Sequence, residues 1–401
     1  MVSELRRELG LPGAVITGLG SILGTGAFVA IALAHGSVGS FVVLAAPLAA
    51  MVAVFNGLSS AALASAHPMA GGTYEYGSKY LGEWPGFLAG WLFLIAKSAS
   101  AATAALALGS LTGLRWAPVL IVAVLTVLVA SGLRRTTPVN LVLVAATIAG
   151  LVGFVVIGAT YPGGVNPIAV SVDGWQPILE AVAFLFVAYT GYGRIATLGE
   201  EVRDPSRTIP RAVIVTLAVT AVLYTAVGWA VNRLAIDFGL VGESLTEIVD
   251  GLAGSTVVLI GAVAAMGGVL LNLILGLSRV WLAMGRRHDM PRALATVTDG
   301  SPRVAVVVSG VVIAGLTLIG DLRVAWSFSA FSVLLYYAIT NAAALKLDAA
   351  ERRFPRWTAW AGLASCLFLS IWLEPTVVVV SLAVIGAGVI WRAGWRQRVR
   401  T

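Results

Sequence analysis

Charge is what this chain has least of. Only 11% of its 401 residues are Asp, Glu, Lys or Arg, against 59% hydrophobic; a soluble protein carries about 25% charged residues. None of the four occurs between Glu8 and Glu75. A soluble core cannot enclose a charge-free stretch of that length. A bilayer, which needs about 20 apolar residues per helical span, takes two such helices in succession. Cysteine is limited to Cys366, inside an apolar run, so a disulfide within the chain and a CxxC site are both excluded. The three histidines, His35, His67 and His288, lie far apart at loop edges, which argues against a histidine metal site. Every acidic residue falls at or near the end of an apolar run. Paired carboxylates at membrane depth, which an enzyme would want, are therefore missing. Gly72-Thr73-Tyr74-Glu75-Tyr76-Gly77-Ser78-Lys79 approximates a phosphate loop, but its Ser precedes its Lys and no Walker-type helix follows.

What is present is a succession of apolar segments separated by turn residues and charges. They predict helices near 12–34, 40–66, 85–110, 116–133, 138–160, 177–199, 212–234, 253–282, 303–320, 324–346, 357–373 and 375–391. The first resembles a signal peptide, with Arg6 and Arg7 before it and Ala32 and Ala34 mimicking a cleavage site. It is long for a signal, and apolar sequence continues far beyond it. The formal charge of +7 does not point to nucleic acid, because the basic residues sit in short loops. With the N-terminus in the cytoplasm, all 26 lysines and arginines fall on cytoplasmic segments except Arg115, Arg233, Arg323 and Lys97. The expected protein is a multi-pass protein of the plasma membrane with about a dozen spans and both termini cytoplasmic. Its loops leave no room for a soluble catalytic domain.

Two spans carry their own interruption. The first contains Gly18-Leu19-Gly20-Ser21-Ile22-Leu23-Gly24-Thr25-Gly26. Each glycine costs up to about 1 kcal/mol relative to alanine in a helix, although small residues also serve tight helix packing. The sixth contains Tyr189-Thr190-Gly191-Tyr192-Gly193. Non-helical backbone at membrane depth is tolerated only where it lines a cavity or is buried in protein. Unwinding would free N–H groups that attract a carboxylate and C=O groups that attract an ammonium or Na+. A zwitterionic amino acid offers both charges. The breaks lie five spans apart, an odd number, so two consecutive five-span units run in opposite senses across the membrane. That is an inverted repeat with the site at its interface. The halves themselves show no convincing residue-by-residue similarity.

At these residues the sequence resembles the amino acid–polyamine–organocation (APC) superfamily of permeases. The likeness covers nearly the whole chain. It rests on Gly20-Ser21-Ile22-Leu23-Gly24-Thr25-Gly26-Ala27-Phe28, on Phe186 to Arg211, on Pro68-Met69-Ala70-Gly71-Gly72-Thr73-Tyr74, and on Ser278-Arg279 through Pro291. The resemblance implies an all-α integral membrane fold of the sodium-coupled leucine transporter type. It has a 5+5 inverted repeat with broken helices one and six (12–160 and 177–346) and two additional helices (357–391). It also implies alternating access driven by an ion gradient. Carried over by position, the backbone of Ser21, Gly24, Thr25 and Gly26 would hold the substrate carboxylate, and Ile22 would line the pocket. Val187, Ala188 and Thr190 would meet the amino group and side chain, and Tyr192 would stand where the family has an aromatic gate. Many proton-coupled or sodium-independent relatives carry a lysine in span five. Here that region, Asn140 to Thr147, has none.

Lys97 is the one charge left mid-span, about 18 Å from Pro85 along a helix. A central lysine costs about 2.5–3.5 kcal/mol on insertion scales and is a functional hypothesis by default. It would replace the absent span-five lysine as a cationic plug, bind an acidic substrate group, or be a structural lysine capped by carbonyls of a broken helix. Tyr189, Arg194, Glu200 and Glu201 are further candidates for gating or coupling, Arg194 either snorkelling or pairing with Glu200 or Glu201 at an inner gate. Asn272 and Ser278 could supply oxygen to Na+ or simply join helices. The expected function is secondary transport of an amino acid or related amine, preferably neutral, without cofactor, coupled to H+ or Na+ or working by exchange. Polyamine or acidic substrates are alternatives. A channel would need rings of acidic or amide residues that the spans lack.

Overall fold

The computed structural model describes residues 9–69, 71–132, 137–162, 174–197, 202–238, 244–298, 301–318 and 321–400. Among them the chain is helical throughout, with two isolated bridge pairs, Leu9–Val202 and Thr298–Ser301. Helices dominate because a bilayer offers backbone N–H and C=O groups no water, so each segment must bond within itself.

Eight described helical runs are long and apolar enough to cross a membrane, and three shorter apolar helices accompany them. One of the eight, Gly26–Ala66, is two spans. Gly39 breaks it with a positive φ of 52°, a conformation glycine adopts at little cost. The chain folds back there: Gly26 abuts Ala188, while the hydroxyl of the next residue, Tyr189, lies 3.3 Å from the carbonyl of Ala46. With Arg356–Ser370, a further helix outside these two groups, the described helices make twelve spans: Leu11–Ile22 continued by Gly26–Ala30 and Ile31–Val38 (one), Val42–Ala66 (two), Glu83–Ser110 (three), Ala117–Ala130 (four), Thr137–Thr160 (five), and Gln176–Tyr189 continued to Ala196 (six). Pro205–Phe238 (seven), Ser255–Arg286 (eight), Arg303–Thr317 (nine), Leu322–Ala344 (ten), Arg356–Ser370 (eleven) and Pro375–Arg400 (twelve) complete them. Spans seven and twelve outrun their expected limits of 212–234 and 375–391. Their polar ends continue the helix beyond the apolar stretch that marks them in the sequence.

The packing scheme has a two-fold character. Span two lies on seven, three on eight, and four on nine; three also lies on ten as eight does on five; one lies on seven as six does on two. Exchanging spans one to five with spans six to ten leaves this scheme unchanged, as expected for a five-plus-five repeat. Spans eleven and twelve stand outside it and pack mainly on span ten.

Polar groups stitch the spans together. Asn341 Nδ2 of span ten donates to Asn56 Oδ1 of span two at 2.6 Å, and the thiol of Cys366 in span eleven donates to the same oxygen at 3.2 Å. Ser100 and Ser329 join spans three and ten at 2.7 Å. At one end of the bundle Asp289, 3% exposed, accepts from the Tyr74 hydroxyl at 2.9 Å, from Arg392 Nε at 3.0 Å and from Arg396 Nη2 at 3.3 Å. The Arg392 guanidinium lies over the rings of Trp84 and Phe87, 4.4 and 4.8 Å from their centroids. Tyr74 and Tyr76 are buried. Tyr76 donates to the carbonyl of Ala196 at 3.2 Å.

Spans five and eight touch backbone to backbone. A Cβ on Gly150 would fall 2.7 Å from the Cα of Gly261, and one on Gly261 would fall 2.6 Å from the Cα of Gly150. No flexible side chain can yield there. Gly261→Val is expected to lower stability by about 1–3 kcal/mol through overpacking. Gly267→Val in the same span, where a Cβ meets nothing within 4 Å, should be nearly neutral. Thermal unfolding of the two variants in detergent checks the contrast.

Candidate functional site

The two interruptions meet at the centre of the bundle. The first half of span one ends at Ile22. Leu23 then leaves helical geometry (φ −73°, ψ 85°), and the helix resumes through a π-helical turn, Gly26–Ala30. Such turns occur mostly where function demands them. At a helix end the last carbonyls have no partner within the helix. The Tyr224 hydroxyl of span seven donates to Ile22 O at 2.9 Å and lies 3.4 Å from Ala188 O of span six. One phenol thus reaches both interrupted spans. The N–H groups at the start of the second half, Gly24 to Gly26, lie where a helix N-terminus attracts negative charge. Thr25 is buried, and its Oγ1 has no hydrogen-bond partner among the described residues.

Span six is tightened rather than unwound, which corrects the expectation from its glycines. Gln176–Tyr189 passes into a 3-10 turn, Thr190–Tyr192, and then into Gly193–Ala196. A 3-10 turn keeps i→i+3 bonds, so fewer backbone groups are released than in open coil. Tyr337 of span ten donates to Thr190 O at 3.0 Å. The carbonyls that the sequence reading offered to a substrate ammonium are thus capped by Tyr224 and Tyr337, neither of which it singled out. Their only mark in the sequence is a tyrosine inside an apolar span, which membrane proteins also use for plain packing.

The glycines of span one do more than weaken a helix. Cβ atoms on Gly18, Gly24 and Gly26 would overlap Ile195, Val269 and Ala188, and one on Gly20 would come within 2.7 Å of Asn140 Oδ1. Across the gap, a Cβ on Gly191 would collide with the backbone of Ser21 and Ile22. The sequence left helix breaking and tight packing open as readings of these glycines; Gly18 and Gly20 pack within a regular helix, while Gly24 and Gly26 both pack closely and follow the break.

The structure brings two expected site residues into direct contact. The Lys97 ammonium, midway along span three, donates to Thr190 Oγ1 at 3.0 Å, and the Thr190 hydroxyl in turn donates a hydrogen bond to Val187 O at 2.7 Å. Lys97 makes no ion pair among the described residues, and its side chain is only partly buried. Val187 and Ala188 lie in the last helical turn before the 3-10 segment and are 4% exposed.

The remaining candidates are placed as follows. Tyr189 packs against Tyr224 with the rings tilted, centroids 4.9 Å apart, and Tyr192 likewise against Tyr337, at 5.4 Å; both are fully buried. Arg194 Nη1 lies 3.4 Å from Thr197 Oγ1. Glu200 and Glu201 lie outside the described residues. Ser278 donates to Leu275 O within its own helix at 2.9 Å. Asn272 stands one turn beyond Val269, the residue against which Gly24 packs.

A family model described as amino acid permease matches residues 13–394. An uncharacterized transporter of Mycobacterium tuberculosis (strain ATCC 25618 / H37Rv) is 42% identical, over 96% of this chain and 90% of its own. A branched-chain amino acid permease of Bacillus subtilis is 28% identical over 73% of this chain and 70% of its own. A methylthioribose transporter of the same organism is 28% identical over 78% and 75%.

The tyrosine caps generate a test. Tyr224→Phe leaves the buried Ile22 carbonyl without its donor, at an expected loss of about 1–3 kcal/mol; Tyr337→Phe should cost less, because the Gly193 N–H also reaches Thr190 O. Tyr189→Phe removes a second bond from Ala46 O, a carbonyl inside a regular helix, and should cost less. Melting temperatures of the three variants give the order.

Proposed function

The chain belongs to the amino acid permease family, and from that premise we propose that it is a secondary active transporter of amino acids that carry no cationic side chain. The observation that carries this reading is the Lys97 ammonium on Thr190, with no carboxylate paired to it among the described residues. Two like charges about 4 Å apart repel by about 4 kcal/mol at an effective dielectric of 20. A lysine, arginine or polyamine substrate seated at the span-six break would face that repulsion. A neutral amino acid would not. Its carboxylate would lie against the N–H groups at Gly24 to Gly26 or against Lys97 itself. Ser21, Ile22 and Thr25 would complete the wall on one side, and Val187, Ala188 and Thr190 on the other. The name of the branched-chain amino acid permease agrees with a neutral substrate, and that of the methylthioribose transporter shows that names alone do not decide it.

The same lone ammonium supports a second reading, an acidic amino acid whose side-chain carboxylate pairs with Lys97. Coupling would be to H+, to Na+ (with Asn272 and Ser278 as oxygen donors) or to counter-exchange. Alternating access would move spans around the two interruptions, with Tyr189, Tyr192 and Arg194 beside the moving segments. The lysine and arginine distribution supports a plasma-membrane orientation with both termini cytoplasmic.

Proteoliposomes given a labelled amino-acid panel, with Na+ and pH gradients imposed separately, test the proposal. Saturable uptake of neutral or acidic amino acids and poor uptake of arginine and lysine are expected. Lys97→Met should raise the uptake of cationic relative to neutral amino acids by about tenfold or more, the factor that 1.4 kcal/mol commands. If no amino acid is taken up or exchanged, the assignment fails. An unchanged selectivity in the Lys97 variant would remove Lys97 from the account of it.

A further inference from the structure

A cavity of about 800 Å³ opens far from the central site, where spans two and seven meet the connection between spans ten and eleven. Its volume lies within the range of about 300–1,000 Å³ that small-molecule sites occupy. Four arginines converge on it from two separate stretches of chain: Arg207 and Arg211 at the start of span seven, and Arg352 and Arg353 before span eleven. Glu351 is the one carboxylate in the lining. The four guanidinium groups are far from satisfied by protein. Arg207 has one loose ion pair, 3.8 Å to Asp204, with both side chains largely exposed. Arg211 and Arg353 have no ion-pair or hydrogen-bond partner among the described residues. Arg352 donates one Nη to Leu347 O at 3.1 Å, while its Nε is buried without a partner.

The rest of the lining is apolar. Ile214 and Phe354 contribute to it, and Ile214, 48% exposed, lies on a span, so its open side faces hydrocarbon. Trp357, 61% exposed at the start of span eleven, marks the headgroup level beside the cavity. A cationic rim above an apolar wall, at the end of three spans, is complementary to a phosphate carried on an acyl chain. Arginine suits it because its fork of donors matches phosphate oxygens in pairs.

We propose that this cavity binds a phosphate group, held by Arg207, Arg211, Arg352 and Arg353, and that the phosphate is that of an anionic phospholipid. Basic pockets between membrane helices are known to take such headgroups. The proposal is independent of what the transporter carries.

The test uses the full chain in detergent, with phosphatidylglycerol and phosphatidylcholine as probes and bound lipid counted by native mass spectrometry. Inorganic phosphate is added as a soluble competitor. The wild type should retain phosphatidylglycerol in preference to phosphatidylcholine. The triple variant Arg207→Gln, Arg211→Gln, Arg353→Gln should weaken that retention by roughly fivefold per arginine. The matching lysine triple, which keeps charge and checks folding, should lose less. Three exposed arginines outside the cavity, Arg279, Arg286 and Arg292, changed together to Gln, alter net charge equally and should leave retention nearly intact. Displacement of the lipid by inorganic phosphate would assign the site to phosphate from either source. Resistance to it would assign the site to the lipid. Equal losses in the two glutamine triples, or no preference for phosphatidylglycerol in the wild type, would overturn the proposal.

Discussion

A helix broken inside a bilayer must find partners for the backbone groups it releases, and the centre of this molecule is organised around that requirement. Span one opens at Leu23, and span six tightens at Thr190. The carbonyl set free at Ile22 and the Thr190 carbonyl of the 3-10 turn are met by phenols from spans seven and ten. Those phenols are positioned by ring packing against Tyr189 and Tyr192, which flank the second interruption. Four tyrosines therefore form one unit with the two breaks. Among the described residues no side-chain acceptor caps the N–H groups released at Gly24 to Gly26, and Thr25 Oγ1 stays unpartnered beside them.

Much of this was legible in the sequence, for definite reasons. The spans follow from apolar length and the rule that charges collect at their ends. The interruptions follow from glycine clusters at mid-span, and Lys97 stood out because one charge in an apolar run is costly. Its contact with Thr190 joins two residues singled out for separate reasons. The tyrosine caps were not legible, because a phenol reveals its role only through the carbonyl it reaches, here 202 and 147 residues away. The 3-10 turn in span six was missed for a related reason. Glycine permits both unwinding and tightening, and the choice is made by neighbours such as the Ser21 backbone, which leaves Gly191 no room for a side chain. The repeat was inferred from the spacing of two breaks, and it is in the pairing of spans, not in residue identities, that its symmetry is expressed.

The same close approaches bear on how the protein would change shape. Where Gly24, Gly26 and Gly191 bring backbone or short side chains together, contact is broad and smooth. Smooth surfaces can slide or separate without unlocking interdigitated side chains. The Gly150–Gly261 crossing of spans five and eight is of this kind as well. By contrast, the Asn56–Asn341–Cys366 knot and the Ser100–Ser329 pair fix spans two, three, ten and eleven by directional bonds. Movement would therefore favour the glycine seams over the hydrogen-bonded ones.

Asp289 has a consequence for how the chain is made. Its carboxylate is enclosed by Tyr74, Arg392 and Arg396. Arg392 leaves the ribosome 103 residues after Asp289. Until span twelve is synthesised and inserted, that acid lacks its cations, and the aromatic slot between Trp84 and Phe87 stands empty. A chain halted before Arg392 would carry a half-built charge pair at the membrane edge, a defect that a protease or chaperone could read. Span twelve thus supplies the cations that this buried carboxylate requires.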